Sequence, residues 1–163
     1  MQDRRSCGMK TLRDKSVLIV DDDARMLRAL DKVLTGEGAS VTTARWVGDA
    51  LEFLDTRHKR VDLVITDLRM PFVSGLTAVY AIHRNSPALP VIVLTAFGSS
   101  DVKAECLRLG AAAFLEKPMD TAKLMSAIWE VFSARRLSPE SSSTGAPKDP
   151  VELVDSSPSG KSG

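Results

Sequence analysis

The sequence predicts an α/β protein built on a doubly wound parallel sheet of five strands, flanked by five helices. Short apolar runs alternate along the chain with segments whose apolar residues recur every three or four positions. The runs are nearly continuous in apolar residues, which is typical of strands that helices cover on both faces. Right-handed crossovers between such strands then produce the doubly wound arrangement.

Each predicted strand precedes a predicted helix. The strands comprise residues 17–20, 40–44, 62–66, 91–94 and 112–115, of which 40–44 has the weakest pattern. Gly36 and Gly38 follow the first predicted helix and Gly110 follows the fourth, and glycine at such positions is a helix stop signal. In chain order the stripes are Met26, Leu27, Leu30, Val33 and Leu34; Ala50, Leu51 and Leu54; Leu76, Val79, Tyr80 and His83; Val102, Cys106 and Leu109; and Leu124, Met125, Ile128, Trp129 and Phe132.

One folded domain is expected in these 163 residues, over residues 16–136. The polar segment 1–15 has an excess of positive charge and is predicted to be a flexible leader, with a weak contact to an acidic partner as the alternative. Residues 137–163 are rich in Ser, Pro and Gly, a composition that cannot bury a core. We therefore expect a disordered tail there.

Composition argues against several classes of protein. The net charge is +1, so nothing global favours binding to nucleic acid or a membrane surface. The apolar runs fall far short of the ~20 residues of a membrane-spanning helix, and the first residues lack the apolar core of a secretory signal. Cys7 and Cys106 are too few for a disulfide framework. We expect a cytoplasmic protein without direct contact to nucleic acid or membrane.

Acidic residues follow two of the predicted strands. Asp21, Asp22 and Asp23 follow the first strand and Asp67 follows the third, at the end of the strands where open α/β sheets bind ligands. Grouped carboxylates repel one another, and a hard cation such as Mg²⁺ resolves the repulsion. A helix N-cap or a solvated turn is the alternative for these acids. We assign the cap to Asp23, directly before a helix that begins at Ala24.

A hydroxyl and an amine follow the remaining strands. Thr95 ends the fourth strand and is either a plain strand residue or a donor to a phosphoryl oxygen. Lys117 follows the fifth strand and is either solvated or paired, as a compact charge, with a carboxylate or phosphoryl oxygen. Pro118 stops this strand, and a cis bond before it is an option. Phe97 can partly cover the site.

Four motifs in this order resemble the receiver domain of two-component response regulators, the CheY-like family with a flavodoxin-like fold. They are Val-Asp-Asp at 20–22, Thr-Asp-Leu-Arg-Met-Pro at 66–71, Leu-Thr-Ala at 94–96 and Lys-Pro at 117–118. The resemblance implies a sheet with strand order 2-1-3-4-5. It also implies a Mg²⁺ site, with Asp22 as direct ligand, Asp21 acting through water, and Asp67 and the backbone carbonyl of Arg69 completing the set.

The resemblance implies the remaining roles as well. Asp67 would accept a phosphoryl group from a sensor histidine kinase or a histidine phosphotransfer protein. Lys117 would bind that group, Thr95 would turn toward it, and Phe114 would move inward as the aromatic switch. The altered surface of the fourth helix, fifth strand and fifth helix would then control a partner or output domain, or form a phosphorylation-dependent homodimer. Such a protein is not a conventional enzyme, although it catalyses its own Mg²⁺-dependent phosphorylation and dephosphorylation.

The sequence departs from the family pattern beside the acceptor. Phe72 stands where glycine is frequent, and Ser74 stands where an acid or amide is frequent, whereas Gly75 is retained. Arg69 and Phe97 also flank the acceptor, where their side chains can affect attack by water.

Two other functions stay open on the sequence. Asp21 and Asp23 have the Asp-x-Asp spacing of aspartyl-phosphate hydrolases. Alternatively, the fold is a phosphorylation-independent protein-interaction module that binds through Trp129 and Phe132 of the last helix, unless both aromatics are plain core residues.

Overall fold

The computed structural model describes residues 11–56, 60–71 and 73–137. Its five parallel strands have the predicted order β2-β1-β3-β4-β5. The strands are β1 (Ser16–Val20), β2 (Ser40–Ala44), β3 (Leu63–Asp67), β4 (Val91–Thr95) and β5 (Ala113–Glu116). The helices are α1 (Ala24–Gly36), α2 (Val47–Asp55), α3 (Gly75–Asn85), α4 (Ser100–Arg108) and α5 (Thr121–Leu137). Phe72, most of the predicted leader and the predicted tail from residue 138 lie outside the described residues.

Side chains of the sheet alternate between two apolar layers, as the pleat of a strand requires. Ile19 points to the layer shared with α1 and α5, whereas Leu18 points to the layer with α2 and α3. Both are almost fully buried, and burial of each such side chain stabilises the fold by roughly 1.5–3 kcal/mol. Strands β3 and β4 are buried along their whole length, while the edge strand β2 is only partly buried, which explains its weak apolar pattern.

The register of the sheet brings the polar strand ends together. Val20 pairs with Thr66, so Asp21 and Asp67 follow at the same level on neighbouring strands. Asp67 pairs with Leu94, which places Thr95 one residue beyond it on the next strand.

Polar caps set the helix starts. The side chain of Asp23 accepts a hydrogen bond from the Arg25 amide at 2.8 Å and caps α1, as predicted. Ser74 caps α3 by accepting from the Leu76 amide, which gives its hydroxyl a role at the position where the family pattern differs. Gly38 and Gly110 follow α1 and α4 with φ values of +95° and +103°, which glycine adopts most readily.

The folded unit begins before the boundary predicted at residue 16. Leu12 is fully buried in the α1/α5 layer, and its backbone amide donates to the carbonyl of Glu37 at 2.8 Å. The end of the segment predicted as a leader therefore packs on the domain, because an apolar side chain anchors it. At the other end, α5 extends to Leu137, one residue past the predicted boundary.

Two predicted faces need correction or refinement. On α3 the buried residues are Gly75, Ala78, Val79 and Ile82. Val79 of the predicted stripe is therefore confirmed, whereas Tyr80 and His83 are exposed and were wrongly assigned to the buried face. On α5, Phe132 is buried in the core, as plain packing predicts. None of the helices in the described ranges combines the length and the apolarity that a membrane crossing requires.

Candidate functional site

Three carboxylates meet at the carboxyl ends of β1 and β3. Asp21, Asp22 and Asp67 each offer an oxygen atom within 4.8 Å of the other two. Asp21 is 3% exposed and Asp67 8% exposed, while Asp22 is half-buried. Carboxylates this close and this well shielded from water raise one another's free energy unless a positive charge offsets them.

Hydrogen bonds fix the orientation of Asp21. Its Oδ1 accepts from the backbone amide of Asp23 at 2.9 Å, and its Oδ2 accepts from Lys117 Nζ at 2.9 Å. Its own amide donates to the carbonyl of Ala44, at the end of β2. Arg45, which follows that strand, reaches the carbonyl of Asp22 at 3.4 Å. Sequence reasoning missed Arg45, although its place directly after β2 puts it at the same edge of the sheet.

Asp67 is less well satisfied than Asp21. Within the described part of the chain, its buried Oδ1 accepts no hydrogen bond, although Lys117 Nζ lies 3.6 Å away. Burial raises the pKa of Asp67; the Lys117 ammonium opposes this increase, and the Asp21 carboxylate adds to it. An unsatisfied carboxylate oxygen beside two further acids is a donor set that fits a hard divalent cation such as Mg²⁺.

Thr95 and Lys117 are joined through the backbone. The amide of Lys117 donates to the carbonyl of Thr95 at 2.7 Å, and the Lys117–Pro118 peptide bond is cis. Thr95 is fully buried, and its Oγ1 accepts a hydrogen bond from the amide of Phe97 at 3.2 Å.

Phe114 lies on β5 opposite Val93 of β4. Its ring is half-buried and packs against the α2/α3 layer. The loop after β4 runs close over it, since a Cβ atom at Gly98 would lie 2.9 Å from Phe114 Cε1. The loop that begins after Thr95 therefore contacts both this ring and Glu116.

Two features shape the loop after Asp67. A Cβ atom at Gly75 would lie 2.5 Å from the carbonyl oxygen of Asp67 and closer still to Leu68 Cα, so α3 begins in direct contact with this loop. Arg69 is exposed, and its guanidinium Cζ lies 3.9 Å from the centroid of the Phe97 ring. We refer to this contact as the Arg69–Phe97 stack.

The structure thus brings Asp21, Asp22, Asp67 and Lys117 into one cluster, with the Thr95 hydroxyl turned to a neighbouring amide. A parallel sheet of this order, with acids at the carboxyl ends of β1 and β3, is typical of CheY-like α/β domains. The model of the response regulator receiver domain matches residues 17–129. The chain belongs to this family.

Relatives and solved structures agree with this membership. The chain is 37% identical over 142 residues to the transcriptional regulatory protein ZraR of Klebsiella oxytoca, covering 87% of this chain and 31% of ZraR. It is 38% identical over 102 residues to the DNA-binding transcriptional regulator NtrC of Klebsiella pneumoniae, covering 63% of this chain and 21% of NtrC. The chain therefore spans less than a third of the length of these curated relatives.

Among solved structures, a response regulator receiver domain protein from Clostridium thermocellum superposes with a TM-score of 0.70 at 29% identity, covering 76% of this chain and 98% of that one. The beryllofluoride-activated NtrC4 receiver domain dimer superposes with a TM-score of 0.68 at 30% identity, covering 74% of this chain and 98% of that one.

Proposed function

We propose that this chain is the phosphoacceptor of a two-component phosphorelay, and that Asp67 accepts the phosphoryl group from a phosphohistidine. The donor would be a sensor histidine kinase or a histidine phosphotransfer protein. The observation that carries the proposal is the buried Oδ1 of Asp67, which accepts no hydrogen bond from the described residues and lies beside Asp21 and Lys117.

Asp21, Asp22 and Asp67 would hold Mg²⁺ together with the backbone carbonyl of Arg69. Three acids in one cluster suit this ion, which accepts carboxylate oxygens and retains room for water and phosphate. When bound, Mg²⁺ offsets negative charge on the carboxylates and on the transferring group.

The chain's own residues would then perform the transfer. An oxygen of Asp67 forms a bond to phosphorus while the bond from phosphorus to the donor imidazole nitrogen breaks. The electron pair of the broken bond stays on that nitrogen, and the imidazole leaves neutral with the proton that its other ring nitrogen already carries. Lys117 Nζ, 3.6 Å from Asp67 Oδ1, offsets the charge that the incoming oxygens bring. Positioning and charge neutralisation are the main requirements of phosphoryl transfer, and both fit this cluster.

Phosphorylation would shift the conformational equilibrium of the domain. The new charge attracts the hydroxyl of Thr95, which leaves the Phe97 amide, and Phe114 moves inward as the loop over it changes. Such a change alters the surface formed by α4, β5 and α5 through a shift between two populations.

The output would pass through that surface to a downstream protein, to an output domain or to a second copy of the chain. ZraR and NtrC are named as transcriptional regulators, and NtrC as a DNA-binding one, which favours an output in transcription. We propose that the residues described here do not contact nucleic acid themselves and that the domain works in the cytoplasm.

Two observations favour this proposal over the alternatives. The carboxylate of Asp23 is engaged as the cap of α1, which disfavours it as the acid–base group of a hydrolase. Phe132 is buried in the core, which disfavours it as an anchor for a phosphorylation-independent partner.

Labelling with a small acyl phosphate tests the proposal. In the presence of Mg²⁺, intact-mass measurement should show one added phosphoryl group on the wild-type protein and none on Asp67→Asn. Asp101→Asn, which changes an exposed acid of α4, serves as the matched control and should label like the wild type. Equal labelling of Asp67→Asn and wild type would show that the acceptor is assigned wrongly.

A further inference from the structure

The Arg69–Phe97 stack joins the two loops that carry the proposed chemistry. Arg69 follows Asp67 by two residues, and Phe97 follows Thr95 by two residues. The guanidinium Cζ lies 3.9 Å from the ring centroid, well within the ~6 Å of a cation–π contact. Phe97 is 59% exposed, so this contact, rather than core packing, holds its ring.

The backbone of Phe97 holds Thr95 as well. Its amide donates to Thr95 Oγ1 at 3.2 Å, and Thr95 is fully buried. When this hydroxyl turns toward a phosphoryl group on Asp67, the amide of Phe97 loses its acceptor. The segment that carries the amide must then move or find water, and any contact that holds the Phe97 side chain resists that movement.

The next residue extends the connection to the aromatic switch. Gly98 lies so close to β5 that a Cβ atom there would be 2.9 Å from Phe114 Cε1 and 2.8 Å from Glu116 Oε1. A displacement of residues 97–98 therefore changes the space available to the Phe114 ring. Phe97 thus contacts Arg69 of the acceptor loop and the Thr95 hydroxyl, and Gly98 contacts the Phe114 ring.

We propose that the Arg69–Phe97 stack is a latch that holds the Thr95 hydroxyl in the orientation of the unphosphorylated protein. Arg69 and Phe97 are then positioning residues, which act through Thr95. The inference rests on the proposed function and adds its regulation: the stack sets how readily the domain enters the activated state.

A latch on the resting state lowers the apparent affinity for any ligand that binds the activated state. Loss of the stack should raise that affinity about two- to fivefold, the factor to which an exposed cation–π contact corresponds. Phe97→Ala is the informative variant because it removes the ring and keeps the amide that donates to Thr95. Phe97→Tyr keeps an aromatic face and should stay close to wild type.

The test is a double-mutant cycle read by calorimetric titration with beryllofluoride in the presence of Mg²⁺. Phe97→Ala should bind about two- to fivefold more tightly than wild type. In an Arg69→Gln background, Phe97→Ala should change nothing further, since the stack is already absent. Because both proteins in that comparison lack Arg69, a direct effect of the arginine charge on beryllofluoride affinity cancels.

Tyr80 and Arg84 provide a matched control, because they form another exposed aromatic–arginine contact, on α3, with a hydrogen bond of 3.3 Å. Tyr80→Ala should leave beryllofluoride affinity at the wild-type value. An unchanged or weaker affinity of Phe97→Ala, or the same effect with and without Arg69, would overturn the latch. Failure of the wild type to bind beryllofluoride and to label at Asp67 would instead overturn the proposed function, and the latch with it.

Discussion

The Lys117 ammonium donates its hydrogen bond to Asp21, at 2.9 Å, and leaves Asp67, at 3.6 Å, with an ionic contact alone. Both acids are nearly inaccessible to water, so this one cation offsets two buried charges unequally. If Asp21, Asp22 and Asp67 held Mg²⁺, its charge would make Asp21 less dependent on the Lys117 ammonium. Lys117 thus stands in for part of the positive charge that we assign to Mg²⁺.

Lys117→Ala should lower the free energy of unfolding in the absence of Mg²⁺. The change removes the hydrogen-bond donor of a buried carboxylate, a loss of about 1–3 kcal/mol. Urea denaturation with and without Mg²⁺ measures this, and the loss should shrink when the cation is present. Lys123→Ala, at an exposed position on α5, is the control and should stay within about 0.5 kcal/mol of wild type. An equal loss with and without Mg²⁺ would contradict the exchange of roles between lysine and metal.

Asp67→Asn should raise the free energy of unfolding at neutral pH when no divalent cation is present. The pKa of Asp67 is raised in the folded protein, chiefly by burial, so the folded state binds this proton more tightly than the unfolded chain does. The contribution of Asp67 to the free energy of unfolding is therefore fully present below the ordinary Asp pKa, and it is lost as pH rises through the raised pKa of the folded state. Urea titrations across this pH range should show the decline in wild type and a smaller decline in Asp67→Asn.

Asp23→Asn should have the opposite effect to Asp67→Asn and lower the free energy of unfolding at neutral pH. The pKa of Asp23 is lowered, first by the hydrogen bond from the Arg25 amide, so its ionised form stabilises the folded protein. That contribution is present above the ordinary Asp pKa and disappears as pH falls through the lowered value. Asparagine keeps the cap but loses the charge, so stability at neutral pH should decrease. If both variants changed stability in the same direction, burial would not be the cause at Asp67.

Mg²⁺ should stabilise the wild-type protein against unfolding. Binding to the folded state alone contributes about 1.4 kcal/mol at ten times the dissociation constant. Thermal unfolding at increasing Mg²⁺ should show a rising Tm for wild type and for Asp101→Asn. Asp22→Asn should lose most of the rise, because it removes one of the three clustered carboxylates. A full rise in Asp22→Asn would place the cation elsewhere.

Gly75→Ala should destabilise the fold by about 1–3 kcal/mol, the usual cost of overpacking. The added Cβ would meet the backbone of Asp67 and Leu68, which cannot move aside as a flexible side chain can. Gly48→Ala is the matched change within α2, where a Cβ meets nothing within 4 Å, and it should stabilise by up to about 1 kcal/mol. Chemical denaturation of both variants separates the close approach from a general effect of glycine replacement.

The fold was largely predictable because buried parallel strands leave near-continuous apolar runs. The ends of the strands were harder, since Asp67 and Thr95 still pair with neighbouring strands although their side chains are polar. The stripe on α3 was only partly right: Val79 is buried, but Tyr80, whose apolar ring recurs at helical spacing, is 48% exposed. The small Ala78 packs on the sheet instead, and sequence periodicity gives small residues little weight.

The site was predictable to the extent that it depends on where strands end. Parallel strands bring their carboxyl ends to one edge, so Asp21, Asp22, Asp67 and Lys117 had to meet. Whether Lys117 donates its hydrogen bond to Asp21 or to Asp67 depends on interatomic distances, which the spacing of residues along the sequence does not determine. The Arg69–Phe97 stack could not be predicted either, because it depends on the paths of two separate loops. The catalytic and switch roles of these residues stay predictions until the labelling and binding experiments are done.

The buried Leu12 has a practical consequence for anyone who wishes to produce this domain in isolation. A fragment cut at the limits of family similarity, residues 17–129, would discard Leu12 together with Val131 and Phe132, all of which are buried in one apolar layer. Such a fragment would expose a strip of hydrophobic core and should aggregate or express poorly. Tags and fusion partners are better joined before residue 11 and after residue 137, where they leave this layer intact.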